Sequence, residues 1–125
     1  IILEEGEPAF RKAESETLSL LVDRGPAVLA CGGGTPMGEE NRALLTGFGQ
    51  VLYLRVGVAS LLGRLRDDDD VSRRPPLLDC DPAEEVRKLW TSRDPTFVQL
   101  ADAVVDGEGS VHAVASRCEV ALRQV

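Results

Sequence analysis

Apolar and polar positions along this chain follow two rhythms. Gly6-Glu7-Pro8 reads as a turn, and from there Phe10, Ala13, Thr17, Leu20 and Leu21 recur at helical spacing until Gly25-Pro26 stops the run. The next stretch, Val28-Leu29-Ala30-Cys31, is apolar without alternation, which predicts a strand over 27–31 buried on both faces. Gly32-Gly33-Gly34 follows at its carboxyl end. Glu39 to Thr46 predicts a short helix closed by Gly47, 50–54 a second buried strand, and 58–66 a helix with Ala59, Leu62 and Leu65 on one face. Asp81 and Pro82 supply a cap and a first helical residue for 82–93. Pro95 predicts a new helical turn through Ala101. Ala103 to Asp106 predicts a third strand, 107–109 a turn, and Ser110 the cap of a last helix to about Gln124.

Strands alternating with helices predict an α/β fold, a three-layer parallel sheet with helices on both faces. Three short strands make a thin sheet, and the chain opens abruptly on Ile1-Ile2, so the pattern predicts a single domain missing its first strands. One stretch fits neither rhythm. Asp67 to Asp70 repel one another and Pro75-Pro76 remove backbone donors, which predicts a mobile segment over 67–78.

Composition narrows the chemistry. The chain has 125 residues and aromatics are only 4%, so its core must be aliphatic. A net charge of −7 disfavours nucleic acid and anionic membrane surfaces as partners, although arginines gathered locally still suit a small anion. Cys31, Cys80 and Cys118 are odd in number and lack metal-ligand spacing, which favours a reducing compartment over a disulfide framework. His112 has nothing beside it in sequence to make it a base, and is expected at the surface or an interface.

Candidate chemistry lies in the glycines and arginines. A triple glycine beyond a strand end either offers backbone N–H groups to an anion or makes a tight turn that needs positive φ. Arg11 and Glu14 share a helix face, either as a surface pair or as a clamp in which Glu14 orients Arg11 toward a carboxylate. Arg73-Arg74-Pro75-Pro76 reads as a solvated linker or as a loop that brings arginine over a nucleotide. Arg93 reads as a helix C-terminal cation.

Taken in order, Gly6-Glu7, Phe10-Arg11, Glu14, Ala30-Cys31-Gly32-Gly33-Gly34, Asn41-Arg42, Arg74-Pro75-Pro76-Leu77, Arg93-Asp94-Pro95-Thr96-Phe97, Ala101-Asp102 and Val105-Asp106 resemble the shikimate kinases. That resemblance implies a P-loop kinase fold of the nucleoside-monophosphate-kinase type. It implies transfer of the ATP γ-phosphate to the 3-hydroxyl of shikimate, with Mg2+, in a cytoplasmic monomer of chorismate biosynthesis. By motif, Arg11, Gly33 and Arg93 would bind substrate, supported by Phe10, Glu14, Gly32 and Gly34. Residues 1–24 would form the substrate-binding helices, Arg74 would face ATP from a lid over 67–78, and 107–110 would contact adenine.

The chain also departs from the family. No Gly-x-x-x-x-Gly-Lys-Ser/Thr occurs, and the family's base and lysine have no counterpart, so no catalytic residue and no metal ligand is identified in this chain. Element lengths put on the order of 40–50 residues before Ile1, including a strand that in the family lies between those matching 27–31 and 50–54. The 125 residues alone are therefore expected to be inactive and to fold poorly. Cys31 replaces a usual hydroxyl residue, and Phe97 a common tyrosine. A non-catalytic, degenerate kinase domain that binds a small carboxylate remains an alternative, as does a sugar-acid kinase resembling the gluconate kinases.

Overall fold

The computed structural model describes residues 6–67 and 81–124, with backbone alone for 65–67. Two compact units emerge, Ile1–Gly49 and Gln50–Val125. Helix α1 of the first unit spans Glu7–Val22, starting behind Gly6 at φ 87° with Pro in its first turn. It stops as the Arg24 amide donates to Leu21 O (3.1 Å) and Gly25 turns to φ 99°. A 3-10 turn at Thr35–Met37 leads into α2, Glu39–Phe48. The two helices pack together, and the buried apolar side chains between Gly6 and Gly49 are Leu18 and Leu45.

Two expectations change here. Helix α2 runs past Gly47 and closes at Gly49, whose amide donates to Leu45 O. A glycine weakens a helix interior without forbidding it. More consequential, residues 27–31 are not a strand: Ala27, Val28 and Ala30 are exposed, Val28 at 98%. A strand exists only where a neighbour takes its N–H and C=O groups, and strand pairing among the described residues is confined to Leu52–Arg55 and Ala103–Asp106. The apolar run marks surface suited to burial; it does not supply the partner.

In the second unit β1 (Leu52–Arg55) and β2 (Ala103–Asp106) pair in parallel, Leu52 opposite Ala103 through Arg55 opposite Asp106. Parallel strands need a long crossover. Helix α3, Val58–Asp67, and helix α4, Pro82–Leu100, belong to it, and α5, Val111–Gln124, follows β2 and packs against it. The caps fall where expected. Asp81 Oδ1 accepts from the Ala83 and Glu84 amides (2.9 and 3.1 Å), and Ser110 Oγ accepts from the Ala113 amide (3.1 Å). Such caps each contribute about 1 kcal/mol. Gly107 is buried at the end of β2, where an added Cβ would stand 2.7 Å from Val56 Cγ2 and 3.3 Å from Arg55 O. Within the described residues no helix is long and apolar enough to cross a membrane.

Helix α4 does not break at Pro95 as the sequence suggested. Proline has no N–H and crowds the carbonyl four residues back, so something outside the helix must hold both sides in line. The ties run to β1 and the residue after it. Before Pro95, Trp90 Nε1 donates to Val56 O (2.8 Å). Asp94 accepts from Tyr53 Oη (2.7 Å), from Arg55 Nε (2.9 Å) and from Arg55 Nη2 (3.1 Å). After it, Phe97 meets the Tyr53 ring edge-on at 5.1 Å.

These contacts set the protonation of the chain's one tyrosine. Burial, then the Asp94 carboxylate, push the Tyr53 phenol up to about 12. Arg55 holds the Asp94 carboxyl below the usual carboxylate range, with Tyr53 adding to the effect and burial opposing it. A raised phenol stabilises the fold below pH ~10, and that contribution is lost as pH rises through the folded value. The Asp94 contribution is present above its unfolded value near 4 and lost as pH falls below it. Spectrophotometric titration should find Tyr53 ionising at about 12. Asp94→Asn should bring it only part of the way back, because burial persists; ionisation at the ordinary value in the unmutated protein would contradict the geometry.

Candidate functional site

Helical spacing puts Glu7, Arg11 and Glu14 on one face of α1. Arg11 Nη1 donates to Glu14 Oε1 (2.9 Å), Arg11 Nε lies 3.6 Å from Glu7 Oε1, and its guanidinium carbon is 5.0 Å from the Phe10 ring centroid. Such pairs on an open helix contribute only a few tenths of a kcal/mol each, so their effect is to orient rather than to stabilise. The oriented group lies on Gly34. A Cβ built there would stand 2.5 Å from Arg11 Cζ and 2.6 Å from Nη2.

The positive-φ reading of the glycine run does not hold. The glycines with positive φ are Gly6, Gly25 and Gly109, none of them in the run. Gly34 is buried and answers to close approach. Gly32 has ordinary room, its nearest neighbours being Glu14 Oε2 and Thr35 Oγ1 at 3.7 Å. Gly33 is exposed in the turn between them. The turn is tied by the Thr35 amide to Gly32 O and the Met37 amide to Gly34 O, both 3.1 Å. Helix α2 then supplies side chains to its far side. Asn41 Nδ2 donates to Thr35 O (2.9 Å), and Arg42 Nη1 donates to Pro36 O and Met37 O (3.0 Å each). Partial burial and the Glu14 carboxylate push the Cys31 thiol up, which keeps it neutral.

In the second unit, Arg93 lies within α4 rather than at a helix end, so the helix-end cation is corrected. It lines a cleft of about 430 Å3 with Tyr53, Leu61, Trp90, Asp94 and Phe97. The turn after β2 is held by Arg117 Nη1, which donates to Asp106 O (2.9 Å) and to Glu108 O, and by Ser60 Oγ donating to Glu108 Oε2 (2.6 Å).

The first unit thus brings together Phe10, Arg11, Glu14, Gly32, Gly33 and Gly34, while Arg93 belongs to the second. Arg74 and residues 68–78 lie outside the described residues. The roles of Asn41, Arg42, Tyr53 and Asp94 were not read from the sequence. Asn41 carried one signal: asparagine is a poor helix former, yet it sits in a helix start behind a glycine turn.

Parallel strands joined through helices define an α/β protein, and the structural match below places the fold with the P-loop kinases. The profile of the shikimate kinase family matches residues 1–123, and the chain belongs to that family. It is 38% identical over 122 residues to the shikimate kinase of Cereibacter sphaeroides, covering 98% of this chain and 60% of that one. With the shikimate kinase of Aromatoleum aromaticum it shares 41% over 103 residues, 82% of this chain and 57% of the relative. A solved structure, "Shikimate kinase from Acinetobacter baumannii in complex with shikimate", superposes with a TM-score of 0.84 at 31% identity, covering 99% of this chain and 69% of the other. The chain therefore spans about three-fifths of the length of the curated relatives it matches.

Gly34→Ala should displace the Arg11 guanidinium, which is the free end of a flexible side chain, without unfolding the helices around it. The melting temperature should hold within about 4 °C, while the Arg11 Nε–H resonance shifts and exchanges faster with solvent. An unmoved Arg11 resonance in that variant would mean the close contact does not exist.

Proposed function

We propose that this chain carries the acceptor-binding part of a shikimate kinase, which transfers the ATP γ-phosphate to the 3-hydroxyl of shikimate in the cytoplasm. The observation that carries the reading is Arg11, held by Glu14 and Glu7 over the bare backbone of Gly34. A guanidinium fixed by carboxylates on one side presents its remaining N–H fork to a planar anion on the other. Shikimate carries such a carboxylate beside a ring of hydroxyls, and the family motif assigns Arg93 to the substrate set. The Acinetobacter baumannii neighbour, solved with shikimate, supports this substrate over a sugar acid.

The nucleotide is a different matter. The family uses ATP and Mg2+, but the chain has no Gly-Lys-Ser/Thr loop, and the described residues contain no group of three His, Cys, Asp or Glu able to hold a metal ion. The loop whose backbone amides, lysine and hydroxyl would cradle a triphosphate is not among these 125 residues, so no step of transfer is assigned to them. What these residues do is bind and orient the acceptor. Orientation is a large part of phosphoryl transfer, which leaves a protein little covalent chemistry to perform.

Arg11→Lys in the natural protein should weaken shikimate binding roughly 10- to 100-fold by calorimetry, because a point charge replaces the fork. Arg93→Lys should do likewise, and gluconate should bind more weakly than shikimate. Retention of full affinity in both variants would remove the reading. The polypeptide of 125 residues by itself should not consume ATP in the presence of shikimate.

A further inference from the structure

We propose that Asn41 and Arg42 are positioning residues that set the glycine corner on which Arg11 lies. The proposal rests on the reading above that this corner takes the acceptor. Two adjacent side chains of α2 bind three consecutive carbonyls. Asn41 Nδ2 holds Thr35 O, and Arg42 Nη1 holds Pro36 O and Met37 O. Fixing a carbonyl fixes its whole peptide plane. The Pro36 carbonyl shares its plane with the Met37 amide, which donates to Gly34 O, and Gly34 O shares its plane with the Thr35 amide, which donates to Gly32 O. The chain of bonds therefore runs from α2 to the glycines, which have no side chains of their own to hold them.

The chemistry of both side chains argues for placement over stability. Asn41 is 2% exposed and an unfavourable helix residue, and its Oδ1 is buried without a partner among the described residues. A half-satisfied buried amide is a poor way to stabilise a helix, since the cost of the orphaned Oδ1 offsets what the Nδ2 bond contributes. Its Nδ2 would also stand 3.4 Å from a Cβ at Gly38, so the turn is closed directly around it. Arg42 makes no ion pair among the described residues; its donors go to the turn.

The test uses the natural protein and the variants Asn41→Leu, Arg42→Met and Arg42→Lys. Asn41→Leu should melt within about 4 °C of the parent, because it removes the orphaned Oδ1 but leaves Thr35 O without its donor. Its Thr35 and Met37 amides should nonetheless exchange with solvent roughly tenfold faster, and its shikimate dissociation constant should rise by about the same factor. Arg42→Met should show the same local loss, and Arg42→Lys should restore it, because one ammonium can serve both carbonyls. Parent exchange rates at Thr35 and Met37 in both Asn41→Leu and Arg42→Met would overturn the proposal. So would faster exchange spread equally to the Leu18 and Leu45 amides, which is what a merely structural role gives. If the parent protein binds no shikimate, the acceptor reading fails while the exchange rates still decide this proposal. If Asn41→Leu does not fold, the Arg42 pair decides it.

Discussion

The space beside the Gly34 Cα is filled by a charged group. Glu14 and Glu7 draw the Arg11 guanidinium into that space, and any side chain at residue 34 would push it out. Much of the first unit follows from this one approach. Helix α1 must present its Glu-Arg-Glu face to the turn, the turn must expose bare backbone there, and α2 must hold the turn from behind. Each contact is weak alone; what they fix jointly is a direction for a cation.

The second unit solves a similar problem with a carboxylate. Asp94 takes three donors from two residues of β1, next to a proline that ought to end the helix. The ties from Trp90, Asp94 and Phe97 hold α4 along the strand across the point where its own ladder lacks a bond. Arg93 is the residue before Asp94, so its backbone position is inherited from that anchor. In both units an ionised side chain is oriented by neighbours of opposite sign.

What the sequence disclosed was local. Helix α1, the Asp81 and Ser110 caps and the strand at 103–106 stand where spacing and capping chemistry put them. The Arg11–Glu14 pair was legible because both residues are on one helix, three positions apart. What it concealed depended on partners remote in the chain. The 27–31 run looked like a buried strand because its residues are apolar, but burial of a strand belongs to its neighbours. Pro95 looked like a break because the strand that steadies it lies some forty residues earlier. Asn41-Arg42 stood only as part of the family pattern, because nothing local reveals a carbonyl waiting behind a turn.

Trp90 and Tyr53 are the chain's one tryptophan and one tyrosine, and both line the same cleft. Intrinsic fluorescence of this polypeptide therefore reports on a single neighbourhood of residues 50–125. The first unit contains only Phe10 and Phe48 as aromatics and is optically almost silent. A smooth emission transition on unfolding would describe residues 50–125 alone. Whether the unit that carries Arg11 melts with it has to be read from backbone signals, since coincidence of independent probes is what defines a single cooperative step.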